Sequence, residues 1–176
     1  MARLRPIEPR DADGMWEART DPEGRRLIGA RGTPDRAAVE ERAATVADLP
    51  GRVDLAITAV DADEYLGEIA LEDVDPEVGG ATLRLIMRPG QRGRGFGSEV
   101  IPLILDLAFA PGPEGLGLHR VGLSVLEINP RARMLYEGLG FVEEGRLRDA
   151  HVEGDRRSDV VLMGILADDP RPGRPG

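Results

Sequence analysis

The sequence predicts an α/β (α+β) fold in which helices flank a mixed β-sheet. Short apolar segments of strand length alternate with segments of helical periodicity, and the C-terminal part is richer in strands. The chain has 176 residues and 41% hydrophobic content, which suits one domain with its own core. We expect that domain to cover residues 1–167, and we expect the Pro/Gly-rich tail at 168–176 to be disordered.

Seven segments have the apolar character and the length of strands. They cover residues 4–7, 53–60, 65–72, 83–87, 118–126, 141–147 and 158–166. Four segments have the apolar spacing of helices, and they cover residues 11–20, 34–47, 98–109 and 130–138. Residues 21–34 lack this periodicity and are expected to form a loop or a broken helix.

Polar residues and prolines mark the predicted helix starts. Asp11 is expected to be the N-cap of the first helix. Thr33 is expected to cap the second, with Pro34 at the first helical position, where its missing N–H costs nothing. Pro102 lies inside the third predicted helix, where an unrelieved proline costs about 3 kcal/mol. Because apolar residues keep helical spacing from 96 to 107, we expect this helix to be kinked rather than terminated.

The most informative stretch is Gln91–Gly97, which joins an apolar strand to a helix. Gly93, Gly95 and Gly97 lie within it, and Gly90 precedes it. Without Cβ atoms in the way, several backbone N–H groups can converge on one anion, and the start of the following helix adds a partial positive charge. The stretch therefore predicts a phosphate-binding loop.

Two well-known phosphate loops do not fit this stretch. A Walker loop requires Lys followed by Ser or Thr after its last glycine, and neither is present. The dinucleotide fingerprint requires a third glycine at the position where, counting from Gly93, Ser98 stands. The remaining pattern, Arg92-x-x-Gly95-x-Gly97, resembles the acyl-CoA pyrophosphate loop of the GNAT superfamily of N-acetyltransferases.

A second segment, Asn129 to Phe141, resembles the other signature of that family, N-x-x-A-x-x-L-Y followed by G-F. Further similar segments occur in the family's order, and they are residues 66–69, 119–120, 144–146 and 159–163. The resemblance covers roughly residues 3–167, and the subgroup that it resembles most contains the ribosomal-protein N-terminal acetyltransferases. It implies a single GNAT domain with a central, mostly antiparallel mixed sheet.

The resemblance implies an acyltransferase that uses acetyl-CoA as donor and releases CoA. In this interpretation the primary amine of a small molecule attacks the thioester directly in a ternary complex. Two alternatives stay open, since the acceptor could be a protein N-terminal α-amine, or the chain could be a non-catalytic acyl-CoA-binding module. Acidic residues at 72–77 favour a cationic acceptor, whereas Arg25, Arg26 and Arg31 in the expected acceptor loop favour the opposite. A homodimer is a further expectation, because relatives often associate through their last strands.

The resemblance assigns cofactor binding mainly to backbone N–H groups of the loop. The loop residues are Arg92, Gly93, Arg94, Gly95, Phe96, Gly97 and Ser98. The Met87 backbone is expected to pair with pantetheine amides, and Asn129 either contacts the pantetheine arm or only caps its helix. Arg88, Arg92 and Arg94 could neutralise CoA phosphates, or they could be exposed loop arginines.

Acetylation of an amine needs an acid for the leaving thiolate and a base for the ammonium. Tyr136 matches the family's usual general acid, and the alternative is an amphipathic tyrosine half-buried on a helix. Glu68 is a candidate base or a solvated strand carboxylate, and Ser124 lies where some relatives carry a glutamate base that serine cannot replace unaided. His119 and His151 lack an accompanying ligand cluster, so no metal site is expected.

Composition restricts the remaining classes of function. The absence of cysteine excludes disulfides and a thiolate nucleophile. A net charge of −9 argues against a nucleic-acid partner and mildly favours cationic ligands. No apolar run approaches the roughly 20 residues that span a bilayer, and the N-terminus lacks a signal-peptide core, so a cytoplasmic protein without a membrane partner is expected.

Overall fold

The computed structural model describes residues 1–173, and it confirms a mixed sheet flanked by helices. The strands are β1 (Ala2–Pro6), β2 (Val53–Ala59), β3 (Ala62–Asp75), β4 (Gly80–Met87), β5 (Arg120–Leu126), β6 (Val142–Glu153) and β7 (Arg156–Leu166). The α-helices are α1 (Ala12–Thr20), α2 (Pro22–Leu27), α3 (Arg36–Thr45), α4 (Phe96–Phe109) and α5 (Pro130–Gly138). Two 3₁₀ turns, Pro9–Asp11 and Val46–Asp48, precede α1 and follow α3.

The seven strands form one sheet in the order β1-β2-β3-β4-β5-β7-β6. Every neighbouring pair is antiparallel except β4 and β5, which are parallel. Their pairing covers only Gly80–Thr82 against Arg120–Gly122. β4 stays paired with β3 as far as Met87, and β5 stays paired with β7 as far as Leu126. Beyond the parallel pairing, the sheet therefore opens between its two halves.

Two apolar clusters hold the layers together, one on each face of the sheet. The larger contains the inner face of α4, including the fully buried Val100, Ile101 and Ile104, packed against the central strands. The smaller joins α1 and α3 to the other face through Met15 and Val39. Period-two alternation along the strands supplies both clusters, because successive side chains point to opposite faces.

Asp11 occupies the predicted N-cap position of α1 but forms no capping bond, and the predicted cap Thr33 of the second helix is wrong. Asp11 makes no capping bond to α1; both of its carboxylate oxygens accept hydrogen bonds from Arg5 at 2.7 Å, and one also accepts from the Glu8 N–H at 2.9 Å. The second helix begins two residues later than expected, and Asp35, whose carboxylate accepts from the Ala37 N–H at 3.0 Å, is its cap. Thr33 lies too far before the first turn to reach its N–H groups.

The prediction that Pro102 does not terminate its helix is confirmed, since α4 continues to Phe109. Its apolar face stays buried on both sides of the proline, with Val100 and Leu105 at most 1% exposed. Burial of this face offsets the missing hydrogen bond. The kink itself stays a prediction.

The described part of the tail makes contacts with the domain. The Asp169 carboxylate accepts from the Leu166 N–H at 2.9 Å, and the Arg171 guanidinium lies 5.1 Å from the Phe109 ring centroid. Residues 174–176 lie outside the described residues. The domain boundary at 167 and disorder of the tail stay predictions. Within residues 1–173, no helix has the length and apolar character needed to cross a membrane.

We expect Ile104→Ala to lower the free energy of unfolding by about 2–5 kcal/mol, because it leaves a cavity where a fully buried side chain packs against the sheet. Chemical denaturation monitored by circular dichroism measures this change. Met134→Ala is the control, since Met134 is 70% exposed and its truncation should change stability by less than about 0.5 kcal/mol. Equal effects of the two substitutions would contradict the assignment of Ile104 to the core.

Candidate active site

The opening between β4 and β5 forms a cleft of about 950 Å³. Its walls are residues 82–87 of β4 and 124–126 of β5, and α5 and the glycine-rich loop close its ends. Beyond Thr82, β4 is paired on one side, with β3, and is unpaired on the side of β5. The backbone polar groups of that unpaired edge therefore face the cleft. An extended ligand with amide groups can pair with that edge as an added strand would.

The glycine-rich loop presents unpaired N–H groups to one end of the cleft. α4 has 14 residues and begins at Phe96, with Gly95 as an N-cap that offers no side-chain hydrogen bond. In the first turn the N–H groups of Ser98 and Glu99 and the hydroxyl of Ser98 donate to the Gly95 carbonyl. Within residues 1–173, the N–H groups of Gly95, Phe96 and Gly97 have no hydrogen-bond partner. Such donors at a helix start are suited to a phosphate.

The three glycines of the motif serve two different purposes. Gly93 and Gly95 have φ values of +75° and +90°, which L side chains rarely adopt. Gly97 has a helical conformation, but a Cβ there would lie 2.7 Å from Leu135 of α5. Gly97 is therefore needed for the close approach of α5 to α4, and the other two for the path of the loop.

The loop arginines are engaged with protein groups. Arg92 donates to Asp21 at 2.5 Å and to Glu23 at 3.1 Å, which ties the loop to the start of α2. Arg94 donates to Gln91 at 2.8 Å, lies over the Phe96 ring and does not line the cleft. Their binding to CoA phosphates stays a prediction. Arg88 is held by carboxylates in the same way, since it donates to Glu17 at 2.8 Å and to Glu64 at 2.5 Å.

Arg131 is a residue of the cleft that the sequence analysis missed. It lies in the first turn of α5 and donates to the Gly93 carbonyl at 3.2 Å, and it lines the cleft. A Cβ at Gly93 would overlap its guanidinium. The sequence places Arg131 at a variable position of the second motif, and only the folded chain brings α5 beside the loop.

Met87 and Asn129 both line the cleft, as do Ser98 and the remaining predicted loop residues other than Arg94. Asn129 caps α5, since its Oδ1 accepts from the Ala132 N–H at 3.2 Å, so the capping interpretation is confirmed. Its amide nitrogen lies 3.4 Å from the Leu27 carbonyl at the end of α2. Contact of these residues with pantetheine stays a prediction.

Tyr136 projects from α5 into the cleft and is 9% exposed. Its ring packs edge-on against Phe141, with centroids 5.7 Å apart. Within residues 1–173 its hydroxyl has no hydrogen-bond partner. Burial raises the pKa of Tyr136 to about 12, because the phenolate would be poorly solvated there. The side chain is therefore a rigidly held donor that stays protonated at neutral pH.

The predicted base candidates lie in different places. Ser124 is exposed on β5 and lines the cleft. Glu68 lies outside the cleft and is 4% exposed, so it is not the solvated strand carboxylate of the alternative interpretation. Neither His119 nor His151 lines the cleft.

The carboxylate of Glu68 is already bound by neighbouring donors. Arg19 donates to both of its oxygens, at 2.6 and 3.2 Å, and the Tyr65 hydroxyl donates at 3.0 Å. Burial, and then the charge of Glu68, raise the pKa of Tyr65 well above its ordinary value, so that hydroxyl stays protonated. Action of Glu68 as a base would require it to release one of these donors, and its role stays a prediction.

A second cavity of about 300 Å³ adjoins the cleft on the face that carries α1 and α3. It is lined by Arg19, Ile28, Ala30, Arg42, Glu68, Ala70, Glu72, Arg84 and Ile86. Four of these residues, Ile28, Glu72, Arg84 and Ile86, also line the cleft, so the two cavities are continuous. A molecule in the second cavity can reach the cleft between the open strands.

Comparisons with known proteins agree with this geometry. Residues 2–142 match the family model described as an acetyltransferase (GNAT) domain. A spermidine N(1)-acetyltransferase of Vibrio cholerae serotype O1 is 36% identical over 101 residues, which is 57% of this chain and 56% of that enzyme. The aligned part thus spans little more than half of that relative's length. An uncharacterized N-acetyltransferase, p20 of Bacillus licheniformis, is 27% identical over 93% of this chain and 91% of its own.

Among solved structures, a spermidine N-acetyltransferase from Vibrio cholerae in complex with CoA and spermine superposes with a TM-score of 0.84 at 25% identity. The match covers 94% of this chain and 95% of that one. A putative acetyltransferase from T. thermophilus superposes with a TM-score of 0.75 at 28% identity, over 98% of this chain and 88% of that one. A family model matches most of the length of this chain, and the solved structures share its fold. The chain therefore belongs to the GNAT acetyltransferase family.

Proposed function

We propose that this GNAT protein is an acetyl-CoA-dependent N-acetyltransferase that acetylates a primary amine of a small molecule by direct attack in a ternary complex. The observation that supports it most is the arrangement of the cleft. Unpaired N–H groups of Gly95, Phe96 and Gly97 lie at one end, and the largely buried Tyr136, whose hydroxyl has no partner within residues 1–173, also lines it. A donor held by its phosphates at the loop can extend its thioester along β4.

Acetyl-CoA, as acyl donor, fits the residues that line the cleft. The start of α4 would hold the pyrophosphate through backbone N–H groups, and the free edge of β4 from residue 83 to Met87 would pair with pantetheine amides. Arg131 stands beside the loop and can add a cation to the phosphate site. Acetyl-CoA supplies an activated acyl group whose thiol is the leaving group.

The protein contributes to this reaction by orienting the reacting groups and by positioning side chains that transfer protons. The neutral amine nitrogen of the acceptor forms a bond to the acetyl carbonyl carbon, the C–S bond breaks, the nitrogen loses a proton and the thiolate gains one. With a pKa of about 12, Tyr136 stays protonated over the whole range in which acceptor amines titrate, about 8 to 10.4. Its hydroxyl can therefore donate to the leaving sulfur at any pH at which the amine is reactive.

The small-molecule acceptor is favoured over a protein N-terminus by the relatives. A sequence match and a solved structure, both from Vibrio cholerae, are named spermidine acetyltransferases, and spermidine is a small amine. The narrower resemblance to the ribosomal-protein subgroup finds no specific support in these names. An N-terminal α-amine stays the second candidate, because a cleft of about 950 Å³ could admit the end of an extended peptide.

A non-catalytic acyl-CoA-binding module is the third candidate. It would need the loop and the open edge of β4, but not a tyrosine in the wall of the cleft. The presence of Tyr136 there, held by Phe141, favours the enzyme.

Homodimer formation stays a prediction. β6 is an edge strand of the sheet, and three of its apolar side chains are substantially exposed: Val142, Leu147 and Val152. Edge strands of this kind are suited to pairing with another chain.

We expect acetyl-CoA turnover, measured as release of free thiol, with at least one class in a panel of alkylamines, amino acids, aminoglycosides and short peptides with free N-termini. Calorimetric titration of CoA accompanies the assay. Turnover confined to peptides would favour the second candidate. Tight CoA binding without turnover of the whole panel would favour the third, and absence of CoA binding would contradict the assignment of the loop.

We expect Tyr136→Phe to lower kcat by about 10²–10⁴-fold, because the leaving thiolate loses its proton donor. Since Phe keeps the ring packing on Phe141, the dissociation constant of CoA should not change. Stopped-flow thiol release and calorimetry measure the two effects. An unchanged kcat in the variant would remove Tyr136 from the chemistry.

We expect Gly95→Ala to raise the KM for acetyl-CoA about tenfold, because a residue forced to φ +90° costs about 1–2 kcal/mol and shifts the loop N–H groups. Gly154→Ala is the matched control, since Gly154 has φ +58° in the turn between β6 and β7, away from the cleft. Both variants should lose comparable stability in thermal melts. A similar KM in both would show that the loop does not hold the donor.

A further inference from the structure

The second cavity leads from the face carrying α1 and α3 into the cleft between β4 and β5. Its volume of about 300 Å³ suits a small molecule or the end of a longer one. Arg84 and Ile86, on β4, border both spaces. An amine that enters by this route would arrive beside the strand edge along which the donor is expected to lie.

The carboxylates of this cavity are already neutralised by arginines. Glu68 is bound by Arg19 at 2.6 Å. Glu72 is bound by Arg52 at 2.8 Å and by Arg84 at 3.4 Å. At least one guanidinium neutralises the charge of each carboxylate, which weakens the attraction of this cavity for a polycation.

Some N–H groups of the arginines that line this cavity have no hydrogen-bond partner within residues 1–173. Arg42 donates to the fully buried Asp54 at 2.5 Å, but its Nε–H is buried and has no partner within residues 1–173. Arg84 is half exposed, and among the described residues its side chain has only the long contact to Glu72. The buried Nε–H of Arg42 adds positive charge beside the cavity, and the exposed guanidinium of Arg84 carries the donors that a ligand can reach.

The charges form one connected chain with an excess of positive charge. Arginines and carboxylates alternate along it: Arg19, Glu68, Arg42, Asp54, Arg52, Glu72 and Arg84. Four guanidinium groups face three carboxylates, which leaves a net charge of +1. The whole chain carries −9, so this cavity differs in sign from the protein around it.

We infer that the acceptor is an amine that also carries an anionic oxyacid group, a carboxylate or a phosphate, which the arginines of the second cavity bind. The inference rests on the proposed acetyltransferase function and specifies its acceptor. Arg84, with free donors at the junction of the two cavities, is the principal specificity residue, and Arg42 supplies the second cation. The acceptor differs in class from the polyamine in the names of the relatives.

Acetyl transfer to such an acceptor follows the same bond changes as in the proposed function. The neutral amine forms the N–C bond, the C–S bond of the thioester breaks, and the proton lost by nitrogen equals the proton gained by the thiolate. The oxyacid group stays ionised and takes no part in bond making. Its role is to fix the distance from the arginines to the amine.

The test compares acceptors that differ only in the charged group. The pairs are 4-aminobutanoate with 1,4-diaminobutane, lysine with 1,5-diaminopentane, and glucosamine 6-phosphate with glucosamine. We expect kcat/KM to be about tenfold or more higher for the anionic member, because charge-assisted hydrogen bonds are among the stronger ones. Preference in the first two pairs identifies a carboxylate, and preference in the third a phosphate. Equal or greater activity with the diamines and the unphosphorylated sugar would overturn the inference.

Variants separate a specificity role from a structural one. Arg84→Gln should reduce the preference for the anionic member about tenfold, mainly through its KM, and leave the dissociation constant of CoA unchanged. Arg148→Gln is the control, since Arg148 is exposed and has no ion pair within residues 1–173. Equal losses for both members of each pair in Arg84→Gln would contradict the assignment.

The measurements distinguish failure of the proposed acetyltransferase function from failure of the inferred acceptor class. If CoA binds but no amine is acetylated, calorimetry of the same pairs with the CoA-saturated protein measures the charge preference directly, and absence of an anionic preference overturns the inference. If CoA itself does not bind, the proposed function fails, and the inference that rests on it fails with it.

Discussion

Parallel pairing of β4 and β5 stops after Thr82 and Gly122, and the rest of the candidate site depends on this early end. Each strand remains paired on its outer side, so the two half-sheets stay rigid while the space between them opens. α4 packs beneath the opening and presents its N-terminus to it. The same opening connects the cleft with the second cavity on the other face. If the strands were paired over their full length, the N–H groups of the loop, the hydroxyl of Tyr136 and the arginines of the second cavity would have no common space.

Ion pairing determines the electrostatic character of the second cavity. With 23 basic and 32 acidic residues, the chain is acidic as a whole, which favours cationic ligands at long range. Close to the cleft the balance is reversed, because Glu68 and Glu72 are held by arginines that outnumber them. At contact distances a ligand responds to individual unpaired donors more than to net charge, since solvent screens the distant charges. Arg92 follows the same pattern, because Asp21 holds it toward α2.

The features that could be predicted are those fixed by residues adjacent in sequence. The path of the glycine-rich loop, the cap of α5 by Asn129 and the continuation of α4 through Pro102 all follow from local backbone rules. The features that could not be predicted depend on distant partners. Asp11 lies at the predicted N-cap position of α1, but its side chain does not cap the helix because Arg5, in β1, donates to both of its oxygens. Arg131 was missed because its contact with Gly93 joins segments 38 residues apart.

By itself the sequence determined the order of most strands and helices, the position of the glycine-rich loop between β4 and α4, and the family, because these depend on periodicity and on short motifs whose conformation is local. Only the tertiary structure decided which charged side chains are free to meet a ligand. Glu68 reads as an available carboxylate in the sequence, yet Arg19 and Tyr65 occupy its oxygens in the fold. The physical reason is that the availability of a charge depends on every group within a few ångströms of it, and those groups come from helices and strands that only folding brings together.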